Sequence, residues 1–231
     1  VPTPKIPQLT SWSYSRWSTY KTCPLKAKFK FIDKLKEPGS PQMDRGTAIH
    51  ELAEHYVQGK LKRLPLELKL FTEELKYLRK IKAPAEEQWT FNRQWGAVEW
   101  NDWNNAWLRV KIDCHFVIDD VATIIDYKTG RMSSYKEAEY REQRELMATA
   151  AFQRLPEVQT VDARLYYLDH GVIYPEEPEL YERAKDAKKL VKIWERNAAR
   201  MLGTTKFVAT PNRGCQWCHF RASNGGPCKH G

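Results

Sequence analysis

The sequence predicts an α/β fold in which a mixed central β-sheet is flanked by helices. Three observations carry that prediction. Residues 108–130, LRVKIDCHFVIDDVATIIDYKTG, hold two β-branched runs either side of Asp119-Asp120, a pair that suits a tight turn and so predicts an antiparallel hairpin. Apolar residues recur at helical spacing both before and after that hairpin. A further strand-like run, VQTVDARLYYLD, follows at 158–169.

The elements are expected in this order. Residues 1–10 are proline-rich and read as extended. A helix then carries Trp12, Trp17 and Tyr20, capped by Ser11 or Ser13. It stops at Cys23-Pro24, because the residue before a proline disfavours the α region. The stretch Lys26 to Lys36 is basic with Phe29 and Phe31 interleaved, which suits either a solvated helix face or contact with phosphates. Pro38, Gly39 and Pro41 predict a loop over 37–44. From Arg45 a helix runs to Gly59, with Ile49, Leu52, Ala53 and Tyr56 on one side and His50 in its first turn.

Residues 65–82 read as an amphipathic helix through Leu66, Leu70, Leu75 and Leu78, closed by Pro84. The alternating aromatic stretch 86–98 reads as a strand beginning near Glu87, and 101–105 as a turn. After the hairpin, residues 135–154 form a helix with Ala138, Leu146, Ala150 and Phe152 on its buried side and Gln143 at its middle. The strand at 158–169 leads to a long basic helix over 177–202, which Gly203 ends. A tail from Lys206 carries Cys215, Cys218 and Cys228. The expected organisation is one domain: a helical region to residue 85, a sheet with its helix over 86–170, a C-terminal helix over 171–205, and a cysteine-rich tail over 206–231.

Composition narrows the function. Lys and Arg outnumber Asp and Glu by 38 to 29, giving a net charge of +9 that favours a polyanionic partner, nucleic acid first. No apolar run approaches the roughly 20 residues that span a bilayer. The start, VPTPKIPQLT, has no apolar centre of a secretory signal, so a cytoplasmic location is expected. In that compartment the five cysteines are better read as metal ligands than as disulfides. Cys114 alternates away from Asp113 along its strand and reads as a small core residue.

The chemistry is concentrated on the hairpin. Side chains alternate along a strand, so Asp126 and Lys128 share a face beside Asp113 of the neighbouring strand. Two carboxylates held close repel unless a cation lies between them, which suggests a site for a hard divalent ion, Mg²⁺ or Mn²⁺, with an ammonium group alongside. An Asp-x-Lys triplet at a strand end is also a common surface cap, so the triplet alone decides nothing.

Further motifs add to it: Ser13 to Pro24 (S-x-S…Y-x-x-C-P), Arg45 to His50 (R-G-x-x-x-H), the Asp113 strand, Asp126-x-Lys128-T-G, Gln143, and the C-x2-C…C of the tail. In this order they resemble the PD-(D/E)XK nuclease superfamily in its RecB-like branch, and within it the iron-sulfur members, such as the AddB nuclease domain and the CRISPR-associated adaptation exonucleases. The resemblance implies a restriction-endonuclease-like core. It implies His50, Asp113 and Asp126 as side-chain ligands of a catalytic Mg²⁺ or Mn²⁺, the backbone carbonyl of Tyr127 as a further ligand, and Lys128 beside the attacking water.

Gln143 resembles the first residue of the family's Q-x-x-x-Y motif, whose tyrosine position is Met147 here. The acidic residue expected on the strand before the hairpin is Glu87, with Glu86 next to it, and His115 is a rival ligand on the Asp113 face. Cys23, Cys215, Cys218 and Cys228 are implied to hold a [4Fe–4S] cluster; His219 and His230 nearby keep a zinc site in contention.

The function so implied is a metal-dependent exonuclease of single-stranded DNA or DNA ends. A catalytically silent DNA-binding subunit of the same fold, or a zinc-bearing RNA-binding protein, are the alternatives.

Overall fold

The computed structural model describes residues 8–230; the proline-rich start, residues 1–7, lies outside the described residues. The chain divides into two compact units, residues 40–193 and residues 1–39 with 194–231.

The larger unit is built on a six-stranded sheet. Strands β1 (Ala85–Phe91), β2 (Leu108–Ile118) and β3 (Val121–Lys128) form an antiparallel meander, and β4 (Thr160–Tyr167) joins β3 in parallel. Short strands β5 (Val172–Tyr174) and β6 (Leu180–Glu182) pair antiparallel with β4. The central hairpin forms as the sequence predicts: Ile118 pairs with Val121 across a two-residue turn, and Asp119 takes φ 53° in the left-handed region.

Helix α3 runs from Pro41 to Val57, four residues earlier than expected. Pro41 opens the helix instead of belonging to a loop, because its fixed φ suits the first helical position. The Ser40 side chain accepts the Met43 N–H at 3.2 Å as the cap. His50 therefore lies in the middle of the helix rather than in its first turn. A left-handed Gly59 follows its end.

The expected 65–82 helix divides into a 3-10 segment, Leu66–Phe71, and α4 (Thr72–Lys80). The tighter winding of the first part rotates Leu66 and Leu70 to solvent and buries Leu68 and Phe71 in their place, while Leu75 and Leu78 are buried as expected. These residues pack with Ile49, Ala53, Tyr56, Cys114, Ile125 and Tyr127 into one core.

Helix α5 (Glu137–Arg154) crosses from β3 to β4. It is buried nearly all round from Arg144 to Phe152, whereas Ala138 is exposed. The stretch 92–98 leaves the sheet at Phe91 and turns through Trp95, which has φ 63°. The long helix expected over 177–202 starts only at Arg183, as a π-helical turn to Ala187 that runs into α6 (Lys188–Leu202), because Leu180–Glu182 is taken by the edge of the sheet.

The smaller unit holds helices α1 (Tyr14–Thr22) and α2 (Pro24–Ala27), a π-helical turn over Lys28–Ile32, and the tail. Ser13 caps α1, and Trp12 lies outside that helix, stacked on Trp194 with ring centroids 5.5 Å apart. Pro24 ends one helix and opens the next, again as a first helical residue. In the basic stretch that follows, Lys26 and Lys30 pair with Glu37 at 2.9 and 2.6 Å, and Lys28 with Asp33 at 2.6 Å. These lysines face carboxylates of their own segment. No helix among the described residues is long and apolar enough to cross a membrane.

Candidate metal centre

The site is assembled by adjacency of strands. Glu87 pairs with Ile112 and Ala85 with Cys114, so Glu86 stands across from Asp113; Cys114 pairs with Ile125, which sets Asp113 beside Asp126. Helix α3 brings His50 to the same place. His50 Nδ1 lies 3.3 Å from Asp113 Oδ2, and the Tyr127 backbone N–H donates to the same oxygen at 2.6 Å. Both partners hold Oδ2, which orients Asp113 and leaves Oδ1 for another partner.

Ligand atoms of His50, Glu86 and Asp113 all lie within 4.8 Å of one another. They line a cleft of about 770 Å³ that also takes in Glu51, Lys111 and Thr129. One imidazole and two carboxylates at this separation form a donor set suited to Mg²⁺ or Mn²⁺. Charge explains the fit: burial disfavours the His50 imidazolium, but the hydrogen bond and charge of Asp113, with Asp126 adding, raise its pKa overall. The site draws positive charge.

Asp126 and Lys128 form a second pair next to this triad. Lys128 Nζ lies 2.6 Å from Asp126 Oδ2, and the Gln143 amide of α5 donates to Asp126 Oδ1 at 2.7 Å. Burial pushes the Asp126 carboxyl above the usual range; Lys128 opposes this shift and Asp113 adds to it. Of the residues singled out by sequence, His50 and Asp113 thus meet in the triad, while Asp126, Lys128 and Gln143 form a linked group beside it.

Glu86, rather than Glu87, completes the triad. Glu87 is occupied elsewhere, accepting from Trp89 Nε1 at 2.7 Å and lying 3.7 Å from His115 Nδ1. His115 is buried edge-on to the Trp89 ring, and burial lowers its pKa with Glu87 in partial opposition. It therefore lies with Glu87 outside the triad. Glu86 reaches the site through a left-handed backbone of φ 56°, which nothing in its sequence context announces. Lys111 was also missed, although its spacing two residues before Asp113 on a strand was the available signal.

A clamp ties α3 to the end of β3. Arg45 donates to both oxygens of Asp169 at 2.7 Å, and the same Asp169 accepts the Gly130 N–H at 3.1 Å. A Cβ at Gly46 would stand 3.1 Å from Thr129 Oγ1, so the helix passes close to the strand end there and a larger residue would have to displace that hydroxyl by a few tenths of an ångström.

A mixed sheet with an imidazole and carboxylates at one strand pair, and a lysine two residues past an aspartate, defines the restriction-endonuclease-like class of nucleases. The chain belongs to the PD-(D/E)XK nuclease superfamily, whose model matches residues 11–223. Among solved structures it is similar to SSO0001, with 12% identity, 94% of this chain and 87% of that one covered, and a TM-score of 0.46. It is also similar to a protein from Eubacterium rectale provisionally named an exonuclease, with 13% identity, 91% and 87% covered, and a TM-score of 0.46. No curated protein matches the chain.

Proposed function

We propose that the protein is a divalent-metal-dependent deoxyribonuclease that hydrolyses single-stranded DNA or DNA ends. The convergence of His50, Glu86 and Asp113 in one cleft, next to the Asp126–Lys128 pair, carries this reading. A Mg²⁺ or Mn²⁺ held by His50, Glu86 and Asp113, with Asp126 adjacent, would activate a water and draw in the scissile phosphate. The Lys128 ammonium stands where negative charge develops on the phosphate oxygens. Gln143 fixes the Asp126 carboxylate, and through it the direction of Lys128. The Tyr127 N–H and His50 hold the Asp113 carboxylate in one rotamer, so it is ordered before substrate arrives.

In the smaller unit we propose an iron–sulfur cluster on Cys23, Cys215, Cys218 and Cys228. These four cysteines line one cavity of about 160 Å³. Backbone N–H groups of Thr210 and Asn212 approach Cys23 Sγ and Cys215 Sγ at 3.5 and 3.4 Å, as a thiolate favours. Four soft thiolates brought to one cavity are a donor set that iron–sulfur clusters use.

Labelled single- and double-stranded DNA incubated with Mg²⁺ or Mn²⁺ tests the first proposal, with Lys128→Ala as the control. Equal degradation by both proteins would overturn it. Iron and acid-labile sulfide, assayed beside zinc in the purified protein, test the second; zinc without iron would overturn it.

A further inference from the structure

The loop between β3 and α5, residues 129–136, is held at its start and in its middle yet carries the most exposed aromatic side chain among the described residues. Tyr135 is 98% exposed, and Met132 on the same loop is 46% exposed. Leaving a tyrosine ring wholly in water gains nothing for folding. Residues 127–136 hold three cations, Lys128, Arg131 and Lys136, and no carboxylate.

The loop is not slack. At its start the Gly130 N–H is held by Asp169, itself gripped by Arg45. In its middle the Ser133 N–H donates to Tyr140 Oη at 3.1 Å, and Tyr140 packs against the rings of Tyr167 and Tyr174. Tyr140 is one turn before Gln143 on α5, so the loop is tied to the helix that reaches Asp126. Tyr135 lies in the 3-10 turn Ser134–Lys136 that feeds this helix. It lies two residues before the start of α5, and Gln143 is six residues further along that helix, about 9 Å along its axis. A ring presented to solvent from a braced, cationic loop next to a phosphodiester site matches the way unpaired bases are held: phosphates on the cations, a base on the aromatic face.

We infer that Tyr135 is a stacking platform for an unpaired base, and that the Arg131–Lys136 loop selects single-stranded over duplex DNA. This rests on the nuclease reading above. Bases inside a duplex already stack on each other, so only an unpaired strand has a face to offer.

The test compares wild type, Tyr135→Ala and Tyr135→Phe on a fluorescein-labelled single strand and on a blunt duplex. It records KM and kcat with Mn²⁺, and binding by anisotropy without metal. Tyr135→Ala is expected to raise the single-strand KM and dissociation constant about tenfold, with kcat nearly unchanged. Its duplex values should not move, and Tyr135→Phe should behave as wild type, because stacking needs the ring and not the hydroxyl. Unchanged single-strand KM and binding in Tyr135→Ala would overturn the inference, as would an equal loss on both substrates. Failure of the wild type to cleave either DNA would overturn the nuclease reading alone if the single-strand binding difference persisted.

Discussion

Glu86 faces Asp113 across the first strand pair while its own backbone sits at φ 56°, a left-handed conformation that a residue with a Cβ adopts at a cost of roughly 1 kcal/mol. The backbone that aims this carboxylate into the cleft is thus also a source of strain. Glu86→Gly should therefore keep or raise the stability of the metal-free protein, by up to ~1 kcal/mol, and weaken Mn²⁺ binding. Chemical denaturation and calorimetric titration read the two effects separately. Glu87→Gln should leave Mn²⁺ affinity intact, since that side chain bonds Trp89.

Lys128→Met should reduce kcat by about 10²–10³ while binding of DNA changes little, because the ammonium acts on charge that develops during the reaction. Steady-state kinetics on a labelled strand give the split. A parallel fall in binding alone would place Lys128 in ground-state recognition.

Gln143 touches Asp126 and not the triad, so its effect is indirect. Gln143→Ala is expected to lower activity roughly 10- to 100-fold, as for groups that orient a side chain of the site. Mn²⁺ affinity, read by calorimetric titration, should stay near the wild-type value, because Gln143 contacts none of His50, Glu86 and Asp113.

The Arg45–Asp169 clamp has a pH signature. The Arg45 hydrogen bonds, with the Gly130 N–H adding and burial opposing, hold the Asp169 carboxyl below its ordinary value of 3.8. A carboxyl lowered in the folded state stabilises above its unfolded value and loses that contribution as pH falls through the folded value. The melting temperature of wild type should exceed that of Asp169→Asn at neutral pH, and the gap should close as the pH drops below about 4. A gap that widened on acidification would contradict the arrangement.

How much of this could be read from the chain differs by element. The hairpin was legible because β-branched runs and an Asp-Asp turn agree with each other, and its register then placed Asp113 beside Asp126. His50 and Gln143 came from motif order, and both lie against the predicted carboxylates. Glu86 was obscured because the pairing of β1 with β2 cannot be read from the chain; it is that register which stands Glu86, rather than Glu87, across from Asp113. Pro24 ends α1 as expected but also opens α2, and Pro41 opens α3 where a loop was expected, since a proline that breaks a helix and one that starts it look alike without the fold. Leu66 and Leu70 misled because 3-10 winding breaks the period of 3.6 on which they were counted.

The smaller unit is sewn from two stretches that lie on either side of the whole sheet domain in sequence. During synthesis the residues from 40 to 193 emerge as a continuous run and can fold at once. Trp12 and Cys23, made first, must wait for Trp194, Val208 and the last cysteines before they find partners. Interrupting translation just after residue 193 should therefore release a chain whose sheet is formed but whose leading segment stays open to proteolysis.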